Sequence, residues 1–204
     1  MSTISASTTT TTAYKVTADT TGTLVLQTGA TPTTAVTIDG SQNTTLAGAL
    51  TTSSRGIAKA SMPAGTVLQA VSQQFASSFS TSSTGLQDTG MSLSITPTSA
   101  TSKILAICQI AAFCSINGTG QVYVYMRFNL YRGATGLIEG RMNVNTGTTA
   151  INDLGGNYPL VYLDSPATTS STAYKIYIST MNTSFNANVN ANAPSTITLL
   201  EIAA

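Results

Sequence analysis

The stretch from Gly120 to Tyr131, Gly-Gln-Val-Tyr-Val-Tyr-Met-Arg-Phe-Asn-Leu-Tyr, alternates apolar residues with polar or aromatic ones. Successive side chains of a β-strand point to opposite faces, so this alternation predicts a strand with one buried face. The predicted buried face is apolar and consists of Val122, Val124, Met126, Phe128 and Leu130. The opposite face is aromatic and polar and consists of Tyr123, Tyr125, Arg127, Asn129 and Tyr131.

The composition favours a β-built structural or binding protein. Charged residues make up 7% of the 204 residues, against about 25% in ordinary globular proteins. The hydrophobic fraction of 42% is too high for a disordered chain, and the abundant threonine suits strands because its branched Cβ packs well on a pleated surface. The net charge is +1 and the basic residues form no cluster, so no nucleic-acid partner is expected. Without a long apolar run or a signal peptide, we expect no membrane partner and a chain that stays in the cytoplasm where it is made unless lysis releases it.

The chain divides by composition into four segments. Residues 1–12 are a polar, threonine-rich arm that we expect to be extended. Residues 13–50 alternate short candidate strands with turns, and because each strand has few apolar side chains, several copies of the chain are expected to share a core there. Residues 51–66 contain glycine and proline and are predicted to be a linker. Residues 67–204 are predicted to form a jelly-roll-like β-sandwich.

Candidate strands are runs rich in β-branched or aromatic residues, bounded by turn residues. Those of residues 13–50 are Tyr14–Thr17, Leu24–Thr28, Ala35–Asp39 and Thr44–Leu46. Those of the main domain are Val67–Ser77, Met91–Thr96, Lys103–Ile116, Val122–Tyr131, Leu137–Asn145, Leu160–Asp164, Tyr174–Met181 and Thr196–Ile202. Asp39-Gly40 is a hairpin signal, and Gly155-Gly156 is interpreted as a turn. The predicted fold class is therefore all-β.

The stretch Lys103–Ile116 is apolar on both predicted faces. Such a strand is either central in its sheet or covered by a neighbouring subunit. In the second case the interface candidates are Ile104, Ile110 and Phe113.

The two cysteines, Cys108 and Cys114, are predicted to be buried free thiols. They are six residues apart along one predicted strand, which places them roughly 20 Å apart. A disulfide requires Cα atoms within about 7 Å, so the two cannot pair within the chain.

No catalytic centre is evident in the sequence, and we predict a protein without enzymatic activity, cofactor or metal. Histidine is absent, which removes the usual base of nucleophilic triads and the commonest metal ligand. Glycosidases need two carboxylates about 5–10 Å apart, and the only plausible set here is Glu139, Asp153 and Asp164. Solvated carboxylates at turns and strand ends are the competing interpretation.

Tyr123, Tyr125 and Arg127 are the remaining site candidates. Tyrosine and arginine are enriched at subunit interfaces, so a subunit interface is one interpretation of this face. The alternatives are a plain outer sheet face and a surface that binds a sugar or a protein.

Two parts of the chain resemble virion proteins of tailed bacteriophages, cyanophages among them. Residues 22–48 look like the repeat-like segment of tail-fibre and other virion proteins. The main domain is similar to the C-terminal domains of such proteins through these pieces: Met62–Gln69, Ser94–Pro97, Ser102–Leu105, Leu163–Ala167, Ala173–Lys175 and Ser195–Ile202.

The resemblance implies a homotrimeric, β-rich component of the virion with no enzymatic role. Its implied partners are other copies of itself, other virion proteins of the capsid or tail, and a glycan or protein on the host surface. A short tail fibre on the particle exterior is the function expected first. Because only a short arm precedes the repeat-like part, a trimeric capsid decoration (cement) protein that bridges capsomers remains the alternative.

Overall fold

The structure is a computed structural model that describes residues 22–28, 33–47, 62–116, 123–145, 153–181 and 183–204. Within these ranges it contains thirteen β-strands, paired antiparallel, and no helix, which confirms the all-β class. The chain forms two compact units, residues 1–56 and residues 57–204. The division falls inside the range predicted to be a linker, most of which lies outside the described residues.

The first unit contains a three-stranded sheet. Its strands are β1 (Leu24–Thr28), β2 (Thr33–Ile38) and β3 (Thr44–Leu46), in the order β1-β2-β3. The candidate strand Tyr14–Thr17 and the arm of residues 1–12 lie outside the described residues.

The β2–β3 hairpin turns at the predicted Asp39-Gly40 signal. Oδ1 of Asp39 accepts hydrogen bonds from the backbone N–H groups of Ser41 and Asn43, each at 2.9 Å. Oδ2 accepts a third from the Asn43 amide at 3.0 Å. These bonds, the Asn43 amide first among them, lower the pKa of Asp39 below its ordinary value.

The second unit is a sandwich of two antiparallel sheets. Its strands are β4 (Val67–Phe75), β5 (Phe79–Thr81), β6 (Gln87–Ile95), β7 (Lys103–Ile116), β8 (Tyr123–Arg132), β9 (Thr135–Asn145), β10 (Asp153–Asp164), β11 (Thr172–Thr180), β12 (Phe185–Val189) and β13 (Ser195–Ile202). The six-stranded sheet has the order β4-β13-β7-β12-β5, with β10 on the other edge of β7. The four-stranded sheet has the order β6-β11-β8-β9.

The core lies between the two sheets. Phe128 of β8 stacks on Tyr158 of β10, with ring centroids 5.0 Å apart, and so joins one sheet to the other. Met126, Phe128 and Leu130 are buried, as the alternation in their strand predicts. The prediction for the side chains of Val122 and Val124 lies outside the described residues.

Strand β7 is central in its sheet, since neighbours pair with both of its edges. Ile104 and Ile110 are buried in the core of their own chain, with relative exposures of 0% and 1%. This corrects the expectation that a neighbouring subunit covers them, because the four-stranded sheet already does. Cys108 and Cys114 are buried and free, as predicted.

The sequence prediction missed β5 and β12 and began β10 seven residues late. Gly155 and Gly156, interpreted as a turn, pair with Phe113 and Ala112 inside β10. A Cβ at Gly155 would lie 3.1 Å from the Phe113 Cβ, so a side chain there would require the two strands to move slightly apart, and glycine suits their close approach.

Candidate assembly surfaces

The outer face of the four-stranded sheet carries five of the charged side chains. They are Asp88, Arg127, Glu139, Arg141 and Lys175, and we call this surface the charged face. Lys175 Nζ lies 3.1 Å from Asp88 Oδ2, and Arg141 pairs with Glu139. Burial acts to raise the pKa of Asp88, but hydrogen bonds from the Gly90 N–H and from Lys175 outweigh it and lower that pKa.

Tyr123, Tyr125 and Arg127 share the charged face but differ in exposure. Tyr125 is buried, with the Arg141 guanidinium 5.6 Å above its ring centroid, whereas Tyr123 is 39% exposed. Arg127 donates from Nε to Ser179 Oγ at 3.0 Å and from its Nη2 to a backbone carbonyl at 2.9 Å. The polar groups of this face are thus largely satisfied within one chain. An interface role for the three residues stays a prediction.

Two of the three candidate carboxylates lie in different environments. Glu139 is on the charged face, whereas Asp164 is buried between the sheets. Asp164 accepts two hydrogen bonds from Arg132 Nη1, at 2.8 and 2.9 Å, and one from Tyr174 OH at 2.7 Å. Its role in this geometry is to tie the end of β10 to the opposite sheet. The side chain of Asp153 lies outside the described residues.

The part of the chain that the structure describes holds no cluster of three or more His, Cys, Asp or Glu side chains with metal-binding spacing. It likewise contains no helix long and apolar enough to cross a membrane.

Part of the outer face of the six-stranded sheet is apolar and consists of two cross-strand rows. The first row is Leu163, Leu105, Leu200 and Ala70 on β10, β7, β13 and β4. The second row is Val161, Ile107, Thr198 and Ser72 on the same strands. Leu105, Ile107, Val161, Leu163, Leu200 and Ala70 together are named the sandwich apolar face. Val161, Leu163 and Ile107 are 53%, 50% and 38% exposed, which is a cost in water unless a partner covers them.

The sequence contained a signal for this face. Leu105 and Ile107 alternate with the core-facing residues of β7 and so lie on its outward face. Val161 and Leu163 alternate in the same way with the core-facing residues of β10. A strand that is apolar on both faces predicts that both faces are covered. The pattern does not tell which of the two faces is covered by the same chain and which by a partner.

Phe113, the last interface candidate, is half-buried on the outside of the same sheet. It lines a cavity of about 390 Å³ together with Ala111, Gly155, Asn157 and Asn192. The six interface candidates therefore lie in three places: the charged face, the core and this cavity.

The three-stranded sheet of the first unit has one wholly aliphatic stripe. Leu26, Val36 and Leu46 form a cross-strand row, and Leu24 and Ile38 lie beside it; these five define the N-terminal aliphatic face. Leu26 and Leu46 are 50% and 40% exposed, and no side chain described in this sheet is fully buried.

Comparisons with known proteins found weak structural similarity between this chain and solved virus structures. No family model matches the chain, and no curated protein matches it. T=1 particles derived from infectious bursal virus match with a TM-score of 0.35 and 15% identity, over 76% of this chain and 40% of that one. The VP2 subviral particle of infectious bursal disease virus matches with a TM-score of 0.32 and 17% identity, over 67% of this chain and 38% of that one. This chain thus spans about two-fifths of those chains, and a likeness of this level carries no argument about function.

Proposed function

We propose that this protein is a non-enzymatic structural component on the exterior of a bacteriophage virion, a short homotrimeric tail fibre whose outer loops contact a glycan or protein of the host surface. The observation that carries the proposal is the N-terminal aliphatic face. Burial of its hydrophobic face is what stabilises a small sheet in water, and no other described element of this unit covers this face, so it needs a partner.

Other copies of the same chain are suitable partners for this face. Residues 22–47 contain a single charged residue, Asp39, and it is engaged in its own turn. Identical sheets therefore meet without charge repulsion. Complete burial of one leucine or isoleucine side chain stabilises by about 1.5–3 kcal/mol, and each copy contributes several such side chains.

A capsid decoration protein that bridges capsomers is the second candidate. The observation that favours it is the sandwich apolar face, which is uncharged and formed by paired strands, as expected of a surface that docks on another virion protein.

The trimer is tested with two lysine substitutions on one strand. Leu26→Lys places a charge on the N-terminal aliphatic face, whereas Val25→Lys, at 42% exposure, places it on the opposite face of β1. By light scattering we expect the wild type and Val25→Lys to have the mass of three chains and Leu26→Lys the mass of one. A wild-type mass of one chain at micromolar concentration contradicts the proposal.

The location is tested on intact particles. A labelled antibody against the sandwich should bind the tail if the protein is a fibre and the shell if it is a decoration protein. Labelling of neither, with the protein absent from purified particles, refutes both virion roles. Cleavage of host-surface polysaccharide by the purified protein would refute the non-enzymatic part.

A further inference from the structure

We infer that the sandwich apolar face packs against a second copy of this chain, so that the sandwiches as well as the N-terminal sheets contact one another in the assembly. This inference rests on the homotrimer of the proposed function and identifies a second contact surface within it.

The face is continuous across four neighbouring strands. Val161 and Ile107 are cross-strand partners, as are Leu163 and Leu105, so the exposed aliphatic groups of β10 and β7 adjoin one another. Leu200 extends the second pair onto β13. With strands about 4.8 Å apart, the rows cover a few hundred Å², which is the size of patch that marks interaction surfaces on single proteins.

The charge distribution fits a second copy of the chain as occupant. Neither row contains a charged residue, and the nearest charge in register is Lys103, which pairs with Ile202 at the margin. The charged face lies on the other side of the sandwich. A charged partner therefore gains nothing here, whereas the identical uncharged faces of the three chains meet around the trimer axis without an unpaired charge.

The size of the face also points to a tethered copy. Stable interfaces bury about 800 Å² per partner, so a patch of this size does not hold two free sandwiches together. Residues 47–66, twenty in number, join the end of β3 to the start of β4 and span at most about 70 Å when fully extended. Chains joined at their N-terminal sheets thus hold their sandwiches at effective concentrations near the millimolar range, where a weak contact forms.

The test is the rate of maleimide labelling of a cysteine introduced on the face. Val161→Cys reports on the face, and Met181→Cys is the matched control, since Met181 is 50% exposed but lies after β11, away from both rows. The native Cys108 and Cys114 give little background, because burial raises the pKa of each thiol to about 12. In the trimer we expect the cysteine introduced at position 161 to react about ten-fold or more slowly than the one introduced at position 181.

A second arm identifies the occupant. In the Leu26→Lys background, where the trimer does not form, the cysteine at position 161 should react as fast as the one at position 181. Slow labelling in this monomer would show that the same chain covers the face, which overturns the inference. Equal rates in a protein whose mass is that of three chains also overturn it, but leave the proposed trimer intact. Unchanged thermal melting of each variant confirms that labelling reads the folded state.

Discussion

At the scale of single residues, the buried carboxylate of Glu201 in β13 is held by hydrogen bonds, and no described lysine or arginine pairs with it. Its Oε1 accepts from the Thr98 N–H at 2.6 Å and from the Thr98 hydroxyl at 2.7 Å, and its Oε2 accepts from the Gln69 amide at 2.6 Å. Burial acts to raise the pKa of Glu201, but these hydrogen bonds outweigh it and hold the pKa below the ordinary value of 4.5. Glu201 thus fixes the loop between β6 and β7 to the centre of the six-stranded sheet.

We predict that Glu201→Gln destabilises the sandwich by about 2 kcal/mol at pH 7, because an amide presents a donor to groups that are themselves donors. A carboxylate with a lowered folded-state pKa contributes stability above its unfolded-state pKa and loses that contribution as pH falls toward the folded-state pKa. In urea unfolding experiments from pH 7 to pH 3, the free energies of unfolding of wild type and Glu201→Gln should therefore converge as the pH falls. Glu139→Gln on the charged face is the control, and its free energy of unfolding should differ little from that of the wild type. A constant offset between wild type and Glu201→Gln at every pH would contradict the prediction.

At the scale of elements, β9 lies over β10 at a point where a side chain on β9 would press on the core residue Leu160. A Cβ at Gly140 would come within 2.6 Å of the Leu160 Cδ2, and Leu160 is buried in the core. A Cβ added to Gly136 of the same strand would lie 3.4 Å from its nearest neighbour, the Tyr131 ring. The two glycines of β9 therefore differ in the space that is free for a side chain.

We predict that Gly140→Ala lowers the free energy of unfolding by about 1–3 kcal/mol through overpacking, and that Gly136→Ala costs less. In a Leu160→Ala background the Gly140→Ala cost should largely disappear, because the clashing methyl group is gone. Chemical denaturation of the four proteins of this cycle measures the interaction directly. Equal costs in both backgrounds would show that the two strands do not touch at this point.

At the scale of the whole molecule, the two units differ in whether they have a core of their own. The sandwich buries aliphatic and aromatic side chains from both sheets, whereas the three-stranded sheet leaves its aliphatic face partly exposed. The sequence predicted that several copies of the chain share a core. That expectation therefore applies to residues 22–47 and not to the sandwich, which has a core of its own.

We predict that residues 57–204 expressed alone fold cooperatively into a β-rich monomer at micromolar concentration, with the stability of about 5–15 kcal/mol usual for such domains. Residues 1–56 alone should associate into trimers, because they contain the whole N-terminal aliphatic face that joins the chains in the proposed assembly. Circular dichroism, thermal melting and light scattering of the two fragments measure this. A sandwich fragment that fails to fold while the full chain folds would show that its core depends on the first unit.

The alternation of residues by itself determined most of the strands of the sandwich and which of their side chains share a face. The bounds of β7 and the buried side chains of β8 follow from period-two patterns, because the pleat of a strand is a local property. The pattern of β12 was also period two, with Phe185, Ala187 and Val189 buried, but its asparagines obscured it.

The tertiary structure decided which apolar faces the chain covers by itself. Ile104 and Ile107 are three residues apart on one strand, yet one is fully buried and the other is 38% exposed. Likewise, Asp164 is buried because Arg132 and Tyr174, which are 32 and 10 residues away in sequence, meet it from the opposite sheet. Burial depends on what lies across from a face, and that is set by pairing between distant strands, which no local pattern encodes.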